Sequence, residues 1–113
     1  MKITSLFAAA ALLVAVPALA YDLTYMGPIK AKETKSIKVH LPDGKSQVEV
    51  WASDAKINCQ FATATYGGVV IEQNAVARCN IIPIVKGDTD IVVSVTNLEN
   101  KDSDYRIWVH DPK

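Results

Sequence analysis

The sequence predicts an all-β, single-domain antiparallel β-sandwich of about six to eight short strands, stapled by one disulfide and preceded by a cleaved signal peptide. Three observations predict it. Apolar and polar residues alternate with a period of two over most of the chain beyond residue 20, as strands with one buried face do. Turn residues punctuate that alternation at Pro42-Asp43-Gly44, Tyr66-Gly67-Gly68 and Lys86-Gly87-Asp88, where proline presets φ and glycine accepts φ > 0. Beyond the leader, no stretch of about ten residues keeps helical spacing.

The leader differs in kind from the rest. Lys2 supplies a positive charge, Leu6 to Ala15 is an uncharged apolar run, and Pro17 breaks it before Ala18-Leu19-Ala20. This is the layout of a signal peptide with a small-x-small cleavage site, and cleavage is expected after Ala20. The run falls short of the roughly 20 residues that span a bilayer. The expected mature part, Tyr21 to Lys113, is the length of one domain, and its expected location is the periplasm or the medium.

The strands follow in order. Ile37, Val39 and Leu41 alternate with Lys38 and His40, and Val48, Val50 and Ala52 alternate with Glu49 and Trp51. With Pro42-Asp43-Gly44 between them, these two runs are expected to form a hairpin. Leu41 would face Val48, His40 would face Glu49, and Lys38 would face Trp51. Ile57, Cys59, Phe61 and Thr63 share the inward side of a third strand. Tyr66-Gly67-Gly68 then reverses the chain into Val69-Val70-Ile71. Ala77, Cys79 and Ile81 share one face of a further run. Pro83 has no N–H for a ladder bond and belongs at an edge or bend. Lys86-Gly87-Asp88 turns the chain into Asp90 to Thr96, and Asn97 to Asp104 reads as a polar loop. Tyr105, Ile107 and Val109 close the domain, alternating with Arg106, Trp108 and His110.

Cys59 and Cys79 are the two cysteines. In an exported chain they are expected to pair, inside the fold, since each shares a face with apolar neighbours. Whether the bridge joins adjacent strands or crosses between sheets stays open. Closing such a loop contributes roughly 3 kcal/mol by chain-entropy arithmetic, which matters in a domain this small.

Several segments together resemble bacterial pre-peptidase C-terminal domains. They are Ser36 to Leu41, Val48 to Ala52, Gly87 to Asn97 and Asp104 to Val109. The last two look like the family's late strand pair, in which a glycine turn leads to an apolar strand, a polar loop and a tyrosine opening the final strand. Val48 to Ala52 lacks the aspartates usual in that family. The resemblance implies a β-sandwich with a non-catalytic, accessory role, and names no ligand.

Charge and motifs exclude other classes. Twelve basic and twelve acidic residues cancel, and loss of Lys2 leaves a single net negative charge. There is no electrostatic footprint for nucleic acid and no polybasic patch for a membrane. Catalytic motifs built on serine elbows, zinc-binding histidines or phosphate-binding glycines are absent, so no enzyme activity and no cofactor are expected. Asp88-x-Asp90 and Asp102-x-Asp104 place carboxylates at alternate residues but lack further oxygen ligands. His40 and His110 would make only two ligands for zinc. No metal is expected.

What remains is a face. By alternation Trp51, Trp108, Lys38, His40, Glu49, Arg106 and His110 point outward together, and aromatic rings among polar groups suit a sugar or a protein hot spot. The plainer alternative is that each tryptophan covers a sheet edge or packs under Tyr21 to Met26. The expected function is a non-catalytic binding or accessory module of the cell envelope, contacting an unknown protein or polysaccharide. One competing function is a secreted inhibitor of a protease or lysozyme, acting through Lys56-Ile57-Asn58 or Asn97 to Asp104. The other is an envelope structural or stress protein with no discrete ligand. Oligomeric state is not encoded in the pattern.

Overall fold

The computed structural model describes residues 22–63 and 69–112. The expected leader, its cleavage point and the Tyr66-Gly67-Gly68 reversal lie outside them. The described chain holds ten strands and no helix. They are β1 (Asp22–Ile29), β2 (Thr34–Leu41), β3 (Gly44–Lys45), β4 (Gln47–Ala52) and β5 (Ile57–Thr63). Then come β6 (Val69–Val76), β7 (Arg78–Ile81), β8 (Ile84–Val85), β9 (Thr89–Asn97) and β10 (Ser103–His110).

Eight of these build two four-stranded antiparallel sheets, ordered β1-β10-β4-β7 and β2-β9-β5-β6, while β3 and β8 form a small link. The first strand pairs with the last and the second with the next to last. This is the strand order of a jelly roll.

Alternation decides what lies between the sheets. From the first come Ile29, Val48, Val50, Ile107 and Val109, and from the second Val39, Leu41, Ile57, Phe61, Val93 and Val95. Each fully buried side chain of this kind contributes about 1.5–3 kcal/mol of transfer free energy. Cys59 on β5 and Cys79 on β7 are both fully buried and bonded, with Cα atoms 6.5 Å apart. The bridge therefore crosses from one sheet to the other, the question the sequence left open.

The strand β1 shows why the N-terminal segment is ordered. Leu23, Tyr25, Gly27 and Ile29 alternate inward, and β1 pairs along its whole length with β10. Gly27 lies opposite Tyr105, and a Cβ there would meet the Tyr105 ring at 3.0 Å. A side chain there would require the ring to give by a few tenths of an ångström.

Three expectations are corrected. The first is the hairpin between β2 and β4, which belong to different sheets. In place of a closed tight turn, Asp43 accepts a hydrogen bond from the Gly87 N–H and its own N–H donates to Asp88. The Ser46 N–H reaches the Pro83 carbonyl at 3.0 Å, and Gly44 pairs with Val85. The turn residues bond to the Pro83–Asp88 segment, so the chain is carried across to the opposite sheet. Lys38 thus faces Val92 and His40 faces Asp90, not Trp51 and Glu49. The second is Ala77, which lies exposed at the bend between β6 and β7 instead of sharing the inner face with Cys79. The third is the loop after β9. Asn97 is the fully buried last residue of β9, and Ser103 and Asp104 already belong to β10.

Candidate functional site

The outer face of the first sheet collects most of the residues the sequence singled out. Register fixes their arrangement, since antiparallel partners share a face. One row runs Met26, Arg106, Trp51, Arg78 across β1, β10, β4 and β7. The next row runs Thr24, Trp108, Glu49, Asn80, and a third holds Asp22, His110 and Gln47. Trp51, Trp108, Glu49, Arg106 and His110 therefore share this face. Lys38 and His40 do not. They lie on the outside of the second sheet, where His40 sits 3.1 Å from Asp90 and 3.5 Å from Asp88. Period two fixes the side of a sheet on which a residue lies but not the sheet to which its strand belongs.

Glu49 is the hub of the face. It is only 7% exposed, and its carboxylate accepts from Arg78 Nη1 at 2.8 Å and from His110 Nε2 at 2.8 Å. His110 Nδ1 lies 2.9 Å from the Asp111 carbonyl. Both partners of the imidazole accept, so making both bonds together requires a hydrogen on each ring nitrogen. Burial pushes the Glu49 carboxyl upward. The hydrogen bonds from His110 and Arg78, with the charges of Arg78 and His110, outweigh that and hold it below the ordinary value of 4.5.

The rings are clamped by the same groups. The Trp108 ring stacks on His110, with centroids 3.6 Å apart and planes 19° from parallel. Its Nε1 donates to Asp22 Oδ1 at 2.7 Å. The Arg78 guanidinium sits 4.5 Å above the Trp51 ring. Both tryptophans are half-buried. Trp108 thus does lie against the N-terminal strand, and the face is also a connected aromatic and charged network. Beside Trp51 a groove of about 410 Å³ opens, bordered by Asp54, Lys56, Arg78 and Glu99.

Sequence reasoning missed Arg78, Asp22 and Met26. Arg78 was within reach, because the residue before an inward Cys79 must point outward. Asp22 and Met26 needed the pairing of β1 with β10, which no local signal announces.

Of the two loop candidates, Lys56-Ile57-Asn58 is not a protrusion, since Ile57 is fully buried. The loop from Leu98 to Asp102 is stiffened from within. The Asn97 Nδ2 donates to the carbonyls of Lys30 and Lys101, its Oδ1 accepts from the Glu99 N–H, and Lys101 pairs with Asp54. Both cysteines are in the bridge, and no group of three metal-ligating side chains occurs among the described residues. Among the same residues no helix is long and apolar enough to cross a membrane.

No family model and no curated protein matches the chain. Solved structures do. The mitogen derived from Yersinia pseudotuberculosis is similar with a TM-score of 0.59 and 14% identity, over 84% of this chain and 91% of that one. PliG, a periplasmic lysozyme inhibitor of g-type lysozyme from Aeromonas hydrophila, is similar with a TM-score of 0.51 and 9% identity, over 86% and 91%. At these identities the likeness is one of fold.

Proposed function

With the fold and face in hand, we propose that the protein is a small exported, non-catalytic binding module of the cell envelope. Its contact surface is the outer face of the first sheet, centred on Trp51. The observation that carries this reading is the row Met26, Arg106, Trp51, Arg78 beside an open groove. Methionine, arginine and tryptophan are the side chains enriched at protein contacts. Export is supported by the buried disulfide, which persists in an oxidising compartment, and by the leader's composition. An accessory role is also what the pre-peptidase resemblance implies.

The test compares the protein with Trp51→Ala and Trp108→Ala against two defined probe sets, soluble envelope polysaccharides and a panel of lysozymes and proteases. Loss of binding in Trp51→Ala at unchanged thermal stability supports the face. Binding that both variants retain sinks it.

A second reading, inhibition of a hydrolase, is favoured by the fold likeness to a periplasmic lysozyme inhibitor and by the internally braced loop from Leu98 to Asp102. It predicts that substitutions at Asn100 and Lys101 abolish inhibition while Trp51→Ala does not.

A further inference from the structure

Each sheet has two outer strands, and they are protected unequally. An outer strand offers a row of unpaired N–H and C=O groups to any extended chain, and proteins blunt such rows with proline, lysine, bulges or covering groups. On β1, Pro28 has no N–H to offer. On β2, the His40 N–H donates to the Tyr25 hydroxyl at 3.1 Å, and Lys35 and Lys38 add charge. β7 is four residues long, and the Gln73 side chain takes both the Asn80 carbonyl and the Asn80 N–H, at 2.9 and 2.8 Å.

Among the described residues the fourth outer strand, β6, is protected only at its end. There the register slips against β5, Ala75 has φ +54°, and its N–H donates to Asn58 Oδ1 at 2.7 Å. The stretch from Val69 to Glu72 has none of these devices. Among the described residues it pairs only with β5, and the one side-chain bond there is from Gln60 to Glu72.

A second observation lies beside it. Ile71 pairs in register with the buried Phe61, on the core side of its sheet, yet it is 46% exposed. It borders an apolar cleft of about 310 Å³ between the sheets, with Leu41, Phe61, Ile81, Ile84 and Ile91. On the facing lip Ile84 is 70% exposed. The outward backbone row of β6 suits an added strand, and the cleft suits apolar side chains at alternate positions of that strand.

We propose that the Val69–Glu72 stretch of β6 is a docking edge for the same edge of a second copy of this chain. A two-fold axis through Ile71 brings the two strands together antiparallel and joins two four-stranded sheets into one. Each Ile71 then faces its copy above the paired clefts, and each Glu72 faces Val70 of the second copy. No like charges oppose one another across the junction, and the stretch holds no lysine or proline to prevent it. A self-complementary patch of this kind closes as a dimer, with β2 of each copy at the two ends of the joined sheet.

The experiment is sedimentation equilibrium of the purified protein across a concentration series, with amide hydrogen exchange at low and high concentration. The expected result is a monomer–dimer equilibrium in which the amides of Val70 to Glu72 gain protection as dimer forms. Val70→Glu, on the outer and half-exposed side of the strand, sets a second carboxylate opposite Glu72 of the other copy and should weaken the dimer roughly tenfold or more without changing the circular-dichroism spectrum. Ile71→Lys should do the same and serves as the second variant. A monomer at every concentration, or a dimer that both variants leave intact, overturns the proposal. Protection of these amides only on adding a foreign protein, without self-association, also overturns it and reassigns the edge to another strand.

Discussion

The two outer faces of this sandwich arise from the same alternation on equivalent sheets, yet they are built differently. On the second sheet small hydroxyl side chains bond in pairs to their cross-strand partners. Thr34 and Thr96 join through their hydroxyls at 2.7 Å, and Ser36 and Ser94 at 2.9 Å. On the first sheet large side chains interlock across four strands, from Asp22 through Trp108, His110, Glu49 and Arg78 to Trp51. Sheet geometry alone is satisfied by the hydroxyl pairs. The interlocked face spends side-chain entropy to hold aromatic rings at the surface, which a merely structural sheet does not need.

Four changes put that contrast to the test. The largest effect is expected from removing the tie beneath both faces. Replacing Cys59 and Cys79 together by alanine should cost roughly 3 kcal/mol, read as a lower denaturant midpoint, because the covalent tie between the sheets is then lost. Next is Glu49→Ala, which leaves His110 and Arg78 without their shared acceptor. Since Arg78 is half exposed and can turn to water, a loss of about 1–2 kcal/mol is expected rather than the full penalty of a buried pair. The blue-shifted component of tryptophan emission should fall with it.

The third change is pH. Glu49 has its carboxyl held below 4.5 in the folded chain. A carboxyl depressed by folding contributes stability that is complete above its unfolded value. That contribution is lost as pH falls through the folded value. Urea midpoints measured downward from pH 6 should therefore drop more steeply in the wild-type protein than in Glu49→Gln. Equal slopes would remove Glu49 from the account. The smallest effect is expected from Ser36→Ala or Thr34→Ser on the opposite face, within about 0.5 kcal/mol of wild type. A large loss there would erase the contrast between the faces.

How far the sequence could be read follows from what a period-two pattern contains. It places Val48, Val50, Ile107 and Val109 inward, Arg106 and Trp108 outward, and Cys59 and Cys79 in the core, because side is a local property of the strand. It does not choose neighbours. β2 and β4 look like a hairpin because a turn signal stands between them, but Asp43 finds its partners at Gly87 and Asp88, far along the chain. Five of the seven outward residues came together for the same reason that Lys38 and His40 did not. Asn97 reads as a loop residue because asparagine favours turns. Three of its hydrogen bonds run to main-chain groups at Lys30, Glu99 and Lys101, and a buried polar side chain with its bonds satisfied costs little.

One feature of the architecture bears on how the molecule comes into being. β10, the last of the described strands in chain order, lies between β1 and β4 and supplies the inner seam of the first sheet. Until it arrives, β1 has no partner and the Trp51 row is missing its middle, so the sheet cannot assemble from the front of the chain as synthesis proceeds. Such long-range closure is slow. A truncation that removes only the closing segment should therefore abolish the whole domain instead of trimming its border, leaving a collapsed chain sensitive to added protease.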